Sequence, residues 1–373
     1  MTRRREALLA GASMLVGFAL FLVLAEVALR FLPVASGLRT LPVTADQPVM
    51  HFAPDRPFVF SSGWDFAMVN RGRVNNAGFV NDQDYRRDDP RPLVAVIGDS
   101  YVEAAMVPFA ETMHGRLAKA LAPQSRVYSF GASGAPLSQY LVWARHAVQA
   151  YGAIALAINV VGNDFDESHV AYGTGPGFWR YAPRSDGSLA LVLFEYRPGL
   201  LHRLAQHSAL ARYLAFNLHA GPQMLERAVG MLVGSAKAAA PDQAQGFAGN
   251  TSADSSPARL AASEAAIAAF LRDLPAMTGL PPGRVVFTID GFRNPAAAEQ
   301  GAGSYFDRMR RAFIAKAGEA GFETIDLDPF FFARYARTHE AFNYPRDGHW
   351  NAAGHDVAAQ ALLGSQTLAR LQP

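Results

Sequence analysis

Apolar and polar positions along this chain follow two rhythms, and the change from one to the other outlines the fold. Short, continuously apolar runs occur at 92–98 (PLVAVIG), 126–130 (RVYSF), 153–161 (AIALAINVV), 284–290 (RVVFTID) and 322–327 (FETIDL). Their length and β-branched content read as strands buried on both faces. Between and after them, apolar residues recur at helical spacing over 111–121, 137–151, 259–274, 305–320 and 352–363. Strand, loop and helix therefore alternate, which predicts a parallel sheet covered on both faces. The fold class expected is α/β, a three-layer, flavodoxin-like α/β/α arrangement of five parallel strands carrying a largely helical insertion.

The N-terminus follows neither rhythm. Arg3, Arg4 and Arg5 precede an uncharged apolar run over 7–25, and Glu26 and Arg30 follow it. The nineteen residues of that run would span roughly 28 Å as a helix, close to the hydrocarbon thickness of a bilayer. A cleaved signal peptide would have a shorter apolar region and a small-residue cleavage site, and no such site follows here. The expectation is a transmembrane signal-anchor over 7–30, with residues 1–6 as a cytoplasmic tail. The protein would then cross a bacterial inner membrane once and expose its main domain to the periplasm.

Residues 31–91 are rich in proline and read as an extended lead-in, with a turn at 73–79 (RVNNAGF). The main domain is expected over 92–369, interrupted by an insertion at about 170–282. Within the insertion, 173–187 reads as a loop and 199–218 as one amphipathic helix. Residues 235–256 have few large apolar side chains and are expected to be disordered.

Composition changes the picture little. Half of the 373 residues are apolar, the formal net charge is +2, and cysteine is absent. A sizeable core is possible. Disulfides, thiolate metal sites and cysteine nucleophiles are excluded. No basic cluster interleaved with aromatics is present, so nucleic acid is not an expected partner. No cofactor is implied, and nothing matches the H-E-x-x-H pattern of a zinc site.

The candidate chemistry lies at strand ends. The first run delivers Gly98-Asp99-Ser100-Tyr101 to the carboxyl edge of the sheet, where open α/β folds place their ligands. Val102 stands where the G-x-S-x-G elbow needs its second glycine, so that elbow does not fit. The residues instead resemble the GDS(L) signature of the SGNH hydrolases. The further blocks of that family follow in order: Gly134 in FGASG, Asn163 in GND, and Asp347 with His349 in PRDGHWN. The resemblance implies Ser100 as nucleophile, His349 as its base and Asp347 as the acid orienting the imidazole. It also implies an oxyanion hole of the Ser100 and Gly134 backbone N–H groups and the Asn163 side chain. One departure is the D-x-H spacing in place of D-x-x-H, which is similar to that of SGNH-like polysaccharide O-acetyltransferases. Asp326 and Asp328 are the alternative acids.

Other polar residues have plainer readings. Asp99 reads as a turn-stabilising side chain, Ser133 as a loop hydroxyl, and His355 as unsuited to a metal pair with His349. His202, His207 and His219 read as surface or packing residues. Phe178, Trp179 and Tyr181 read either as a sugar platform or as core. The function expected is an envelope serine esterase acting on a small acyl ester, acetyl foremost, of a glycan or related substrate. Alternatives are an O-acyltransferase using the same serine, with a partner protein or an exported donor supplying the acyl group, and a non-catalytic glycan-binding or assembly protein.

Overall fold

The computed structural model describes residues 2–219 and 253–371, and the chain divides into two compact units. The larger comprises Thr40–Arg56, Arg73–Arg197 and Ala240–Pro373; the smaller comprises Met1–Arg39, Pro57–Gly72 and Pro198–Ala239. The expectation for 235–256 lies outside the described residues, apart from 253–256. Strands are numbered along the chain, beginning with an antiparallel pair, β1 (Arg56–Ser62) and β2 (Met68–Val74), inside the expected lead-in.

The larger unit is built on five strands: β3 (Leu93–Gly98), β4 (Arg126–Gly131), β5 (Ala153–Val160), β8 (Val285–Ile289) and β9 (Glu323–Asp326). They form one sheet in the order β4-β3-β5-β8-β9, and each neighbouring pair is parallel. Counting only these strands the order is 2-1-3-4-5, the flavodoxin-like arrangement expected from the sequence. Every residue of β3, β4 and β8 is buried, which is why these runs are continuously apolar rather than alternating.

One face of the sheet carries Val94, Val96 and Val127 against Met113, Leu117, Val357 and Leu362. Those partners come from helices Met113–Leu121 and Ala352–Leu363. Full burial of such side chains contributes about 1.5–3 kcal/mol each. On the helix Leu137–Tyr151, Trp143 is fully buried, and its indole N–H donates to the Met50 carbonyl at 2.9 Å.

The structure revises several local expectations. The stretch 173–187 holds β6 (Trp179–Pro183), which pairs antiparallel with β7 (Leu189–Leu193). Phe178 and Tyr181 are buried there and the Trp179 indole donates to the Pro48 carbonyl, so these aromatics are packing residues, not a sugar platform. The helix expected over 199–218 is broken into Leu200–Ala205, Ala209–Arg212 and a π-helical turn Tyr213–Asn217. The break has a local cause: Ser208 caps the second piece through the Ala211 N–H. Residues 73–91 pack in the larger unit, with Tyr85 stacked on Tyr128 at 4.0 Å and its hydroxyl donating to the Ser129 carbonyl at 2.6 Å.

Candidate active site

Three loops leave the carboxyl ends of adjacent strands. Ser100 follows β3, Gly134 follows β4 and Asn163 follows β5, and the register aligns Gly98 with Gly131 and Ile97 with Ile158. The order of the sheet reverses between β3 and β5, and a crevice opens at such a switch point.

Ser100 begins a short helix, Ser100–Glu103, whose N-cap is Asp99. The carboxylate of Asp99 accepts the Tyr101 N–H at 3.0 Å, the turn-stabilising role read from the sequence. Its other oxygen accepts the Ser100 hydroxyl at 3.1 Å. First-turn N–H groups have no acceptor within their own helix and point outward as donors.

A hairpin of β10 (Asn343–Tyr344) and β11 (Asp347–Trp350) brings the remaining pair. Alternate residues of a strand face the same side. Asp347 and His349 therefore share a face, and the D-x-H spacing suits an acid and base carried on a strand. The His349 Nε2 lies 2.8 Å from the Ser100 Oγ. Its Nδ1 meets a carboxylate oxygen of Asp347, and that same oxygen accepts the His349 backbone N–H at 2.9 Å. Asp326 and Asp328, the alternative acids, instead bind Arg310.

The hairpin is pinned from beneath. The Tyr101 hydroxyl donates to the Gly348 carbonyl at 3.0 Å, between Asp347 and His349. The Trp350 indole donates to Asp290 at 3.1 Å, and Arg293 donates to the Asn343 side chain at 2.8 Å. His355 is buried elsewhere; its Nδ1 accepts the Met113 N–H at 3.2 Å, and burial pushes its pKa well down. Among the described residues, no group of three or more His, Asp or Glu side chains is placed to hold a metal ion.

Electrostatics favour a charged imidazole. Burial alone would lower the His349 pKa, but the hydrogen bond and charge of Asp347, with the charges of Asp99 and Glu103, raise it above its ordinary value. Its side chain is still 31% exposed and open to a substrate.

Sequence reasoning did not single out Glu103. This buried carboxylate accepts the Ser133 backbone N–H at 2.7 Å and the Ser133 hydroxyl at 2.9 Å. Burial pushes its pKa up to about 7, against the lowering effect of those two bonds. Ser133 is thus a loop hydroxyl with a definite partner. Gly134 follows it with φ +76, a left-handed conformation that glycine adopts without a Cβ penalty. At Gly131 a Cβ would come within 2.8 Å of the Glu103 nitrogen, so a side chain there would push the two loops apart. The Asn163 amide donates to Glu167 at 3.4 Å.

No protein-family profile matches the chain, and no curated protein matches it. Solved structures do. An α/β hydrolase from the metagenome of Lake Arreo, Spain, is 13% identical with a TM-score of 0.41, covering 76% of this chain and 97% of its own. An acetyl xylan esterase is 12% identical with a TM-score of 0.41, covering 73% and 98%. A member of the lipolytic G-D-S-L family from Veillonella parvula is 11% identical with a TM-score of 0.36, covering 74% and 98%.

Proposed function

We propose that this chain is a serine esterase of the SGNH type. The observation that carries the reading is the series Ser100 Oγ, His349 Nε2 and Nδ1, and Asp347, with the first contact at 2.8 Å. A serine hydroxyl is a weak nucleophile at neutral pH, and a base within hydrogen-bond reach corrects this. His349 takes the proton as Oγ attacks the ester carbonyl, and Asp347 holds the imidazole tautomer and stabilises the imidazolium. The oxyanion that forms is met by the Ser100 and Gly134 N–H groups and the Asn163 side-chain amide. Collapse expels the alcohol, which takes the proton from His349. Water activated by the same imidazole then releases the acyl group from Ser100.

The acyl group is proposed to be small, acetyl foremost. Ser100 is only 7% exposed, and the buried carboxylate of Asp99 lies against its hydroxyl, which leaves little room for a long chain. The acceptor is proposed to be a glycan or related ester of the cell envelope. The helix Thr2–Leu29 contains one stretch long and apolar enough to cross a membrane. Arg3, Arg4 and Arg5 before it favour a cytoplasmic N-terminus and a periplasmic catalytic unit.

The test is hydrolysis of p-nitrophenyl acetate by the full chain. Ser100→Ala should abolish turnover and labelling by a fluorophosphonate probe while leaving the thermal melt intact. Full activity in that variant would remove the reading. The D-x-H form favours a second outcome, transfer of the acyl group to a sugar hydroxyl. Mass spectrometry of an added oligosaccharide during turnover separates transfer from hydrolysis.

A further inference from the structure

The smaller unit has an unusual surface. Outside the N-terminal helix, every large apolar side chain exposed among the described residues belongs to it, except Ile154 and Phe330. Phe31 is 85% exposed, Trp64 69% and Leu200 67%, and Leu204, Leu214 and Phe216 are exposed as well. Soluble surfaces scatter such residues singly, whereas a concentration of them marks an interaction site.

Contacts within the unit bring Trp64, Leu214 and Phe216 together. The Tyr213 hydroxyl donates to the Trp64 carbonyl at 2.8 Å, and Tyr213 packs on Phe66 at 5.6 Å, so the β1–β2 turn rests on the turn carrying Leu214 and Phe216. The Gly63 N–H reaches the Asn217 carbonyl at 3.1 Å, and a Cβ on Gly37 would touch the Phe216 ring. The same turn is joined to the apolar helix. Glu26, in its last turns, accepts the Ala209 N–H at 3.0 Å, the Leu210 N–H at 2.9 Å and the Ser208 hydroxyl at 2.8 Å. It also pairs with Arg30 at 2.9 Å. A carboxylate near the end of an apolar helix thus has its charge met by the start of the helix Ala209–Arg212.

We infer that this apolar face lies on the lipid surface where the N-terminal helix leaves the bilayer, making the smaller unit a membrane-seated platform. Two observations select lipid over a protein partner. The face is covalently and hydrogen-bond continuous with the segment proposed to span the membrane. Its charge is also one-sided: with Arg30 paired to Glu26, the described part of the unit outside the helix Thr2–Leu29 carries Arg39, Arg71, Arg203 and Arg212 against Asp65 alone. Arginines beside exposed leucine and aromatic side chains suit the interface of an anionic leaflet, where tryptophan also concentrates.

The inference rests on the membrane reading of the N-terminal helix, and the experiment separates the two. The full chain is reconstituted into phosphatidylethanolamine–phosphatidylglycerol vesicles carrying shallow dibrominated acyl chains. Tryptophan fluorescence should be quenched, and Trp64→Phe should remove most of the quenching because Trp143 and Trp350 are buried and the half-buried Trp179 belongs to the larger unit, its indole bonded to the Pro48 carbonyl. Leu204→Glu combined with Phe216→Glu should reduce quenching at least threefold without changing p-nitrophenyl acetate turnover. Extraction of the chain by alkaline carbonate would overturn both readings. Retention in the vesicles with unquenched Trp64 would overturn the platform alone, and cross-linking of the face to a second copy would assign it to a protein interface instead.

Discussion

Glu103 holds Ser133 by two bonds at once, accepting its backbone N–H at 2.7 Å and its hydroxyl at 2.9 Å. The carboxylate belongs to the helix that starts with the proposed nucleophile, Ser100, and Ser133 directly precedes the proposed oxyanion donor Gly134. This side chain, together with the strand register and the close approach at Gly131, thus helps fix the distance between Ser100 and Gly134, on which the proposed oxyanion stabilisation depends.

Glu103→Gln keeps one acceptor and loses the charge. It should lower kcat by about tenfold, less than the 10²–10³ typical of deleting an oxyanion donor outright, while KM stays nearly constant. Because the Glu103 pKa is pushed up to about 7, the wild-type rate should fall as pH drops through that value, when protonation weakens the grip on Ser133. In the variant this ionisation is gone. Its charge no longer raises the His349 pKa either, so the acid limb becomes shallower and moves to lower pH. The profile of kcat/KM against pH reads both effects.

Asp347→Asn tests the acid. The base must be neutral to accept the Ser100 proton, so kcat/KM in the wild type should fall as pH drops through a His349 pKa above 6.5. The carboxamide removes the raising influences of Asp347 and leaves burial dominant, so the acid limb should move down in pH. The plateau should fall by about 10⁴ because the imidazole tautomer is no longer fixed. An unchanged plateau would return the acid role to Asp326 or Asp328.

Asp99 and His349 compete for a single proton. The Ser100 hydroxyl has acceptors at 3.1 Å on Asp99 and 2.8 Å on His349, and it can donate to only one of them at a time. Asp99→Asn keeps an oxygen for the Tyr101 N–H and turns the competing acceptor into a donor. The plateau of kcat/KM should stay within about threefold, while the acid limb moves to lower pH through loss of a nearby negative charge. Asp99→Ala also loses the helix cap and should cost about 0.5–2 kcal/mol in a denaturant melt.

The main sheet was legible because β3 and most of β5 are buried on both faces, which forces apolar runs at 93–98 and, broken only by Asn159, at 153–160. The candidate nucleophile and oxyanion residues were legible because each closes such a run. Asp347 was harder to assign, since the meaning of a D-x-H spacing depends on whether its backbone is a turn or a strand. Glu103 and Tyr101 left no sequence signal: their role comes from reaching Ser133 and Gly348, far away along the chain. The β6 strand was hidden by glycine and proline on both sides of a short aromatic run. The helix expected over 199–218 has suitable apolar spacing throughout, and only the Ser208 cap and its contact with Glu26 explain where it breaks.

The hairpin carrying Asp347 and His349 is fastened by a buried ion pair. Asp290 and Arg293 pair at 2.6 Å with side chains 0% and 4% exposed; Asp290 also accepts the Trp350 indole, and Arg293 reaches Asn343 and the Tyr101 hydroxyl. Arg293→Met strands a buried carboxylate and should destabilise the protein by about 3–5 kcal/mol. Trp350→Phe keeps the ring packing against Tyr101 and removes one donor, for about 1–3 kcal/mol. Adding Asp290→Asn to Arg293→Met removes the unpaired charge, so the double variant should melt well above the single one. Its kcat should stay depressed, because Tyr101 and Asn343 still lack the guanidinium that holds the hairpin beside Ser100. Recovery of kcat together with stability would show that the pair stabilises the fold without positioning His349.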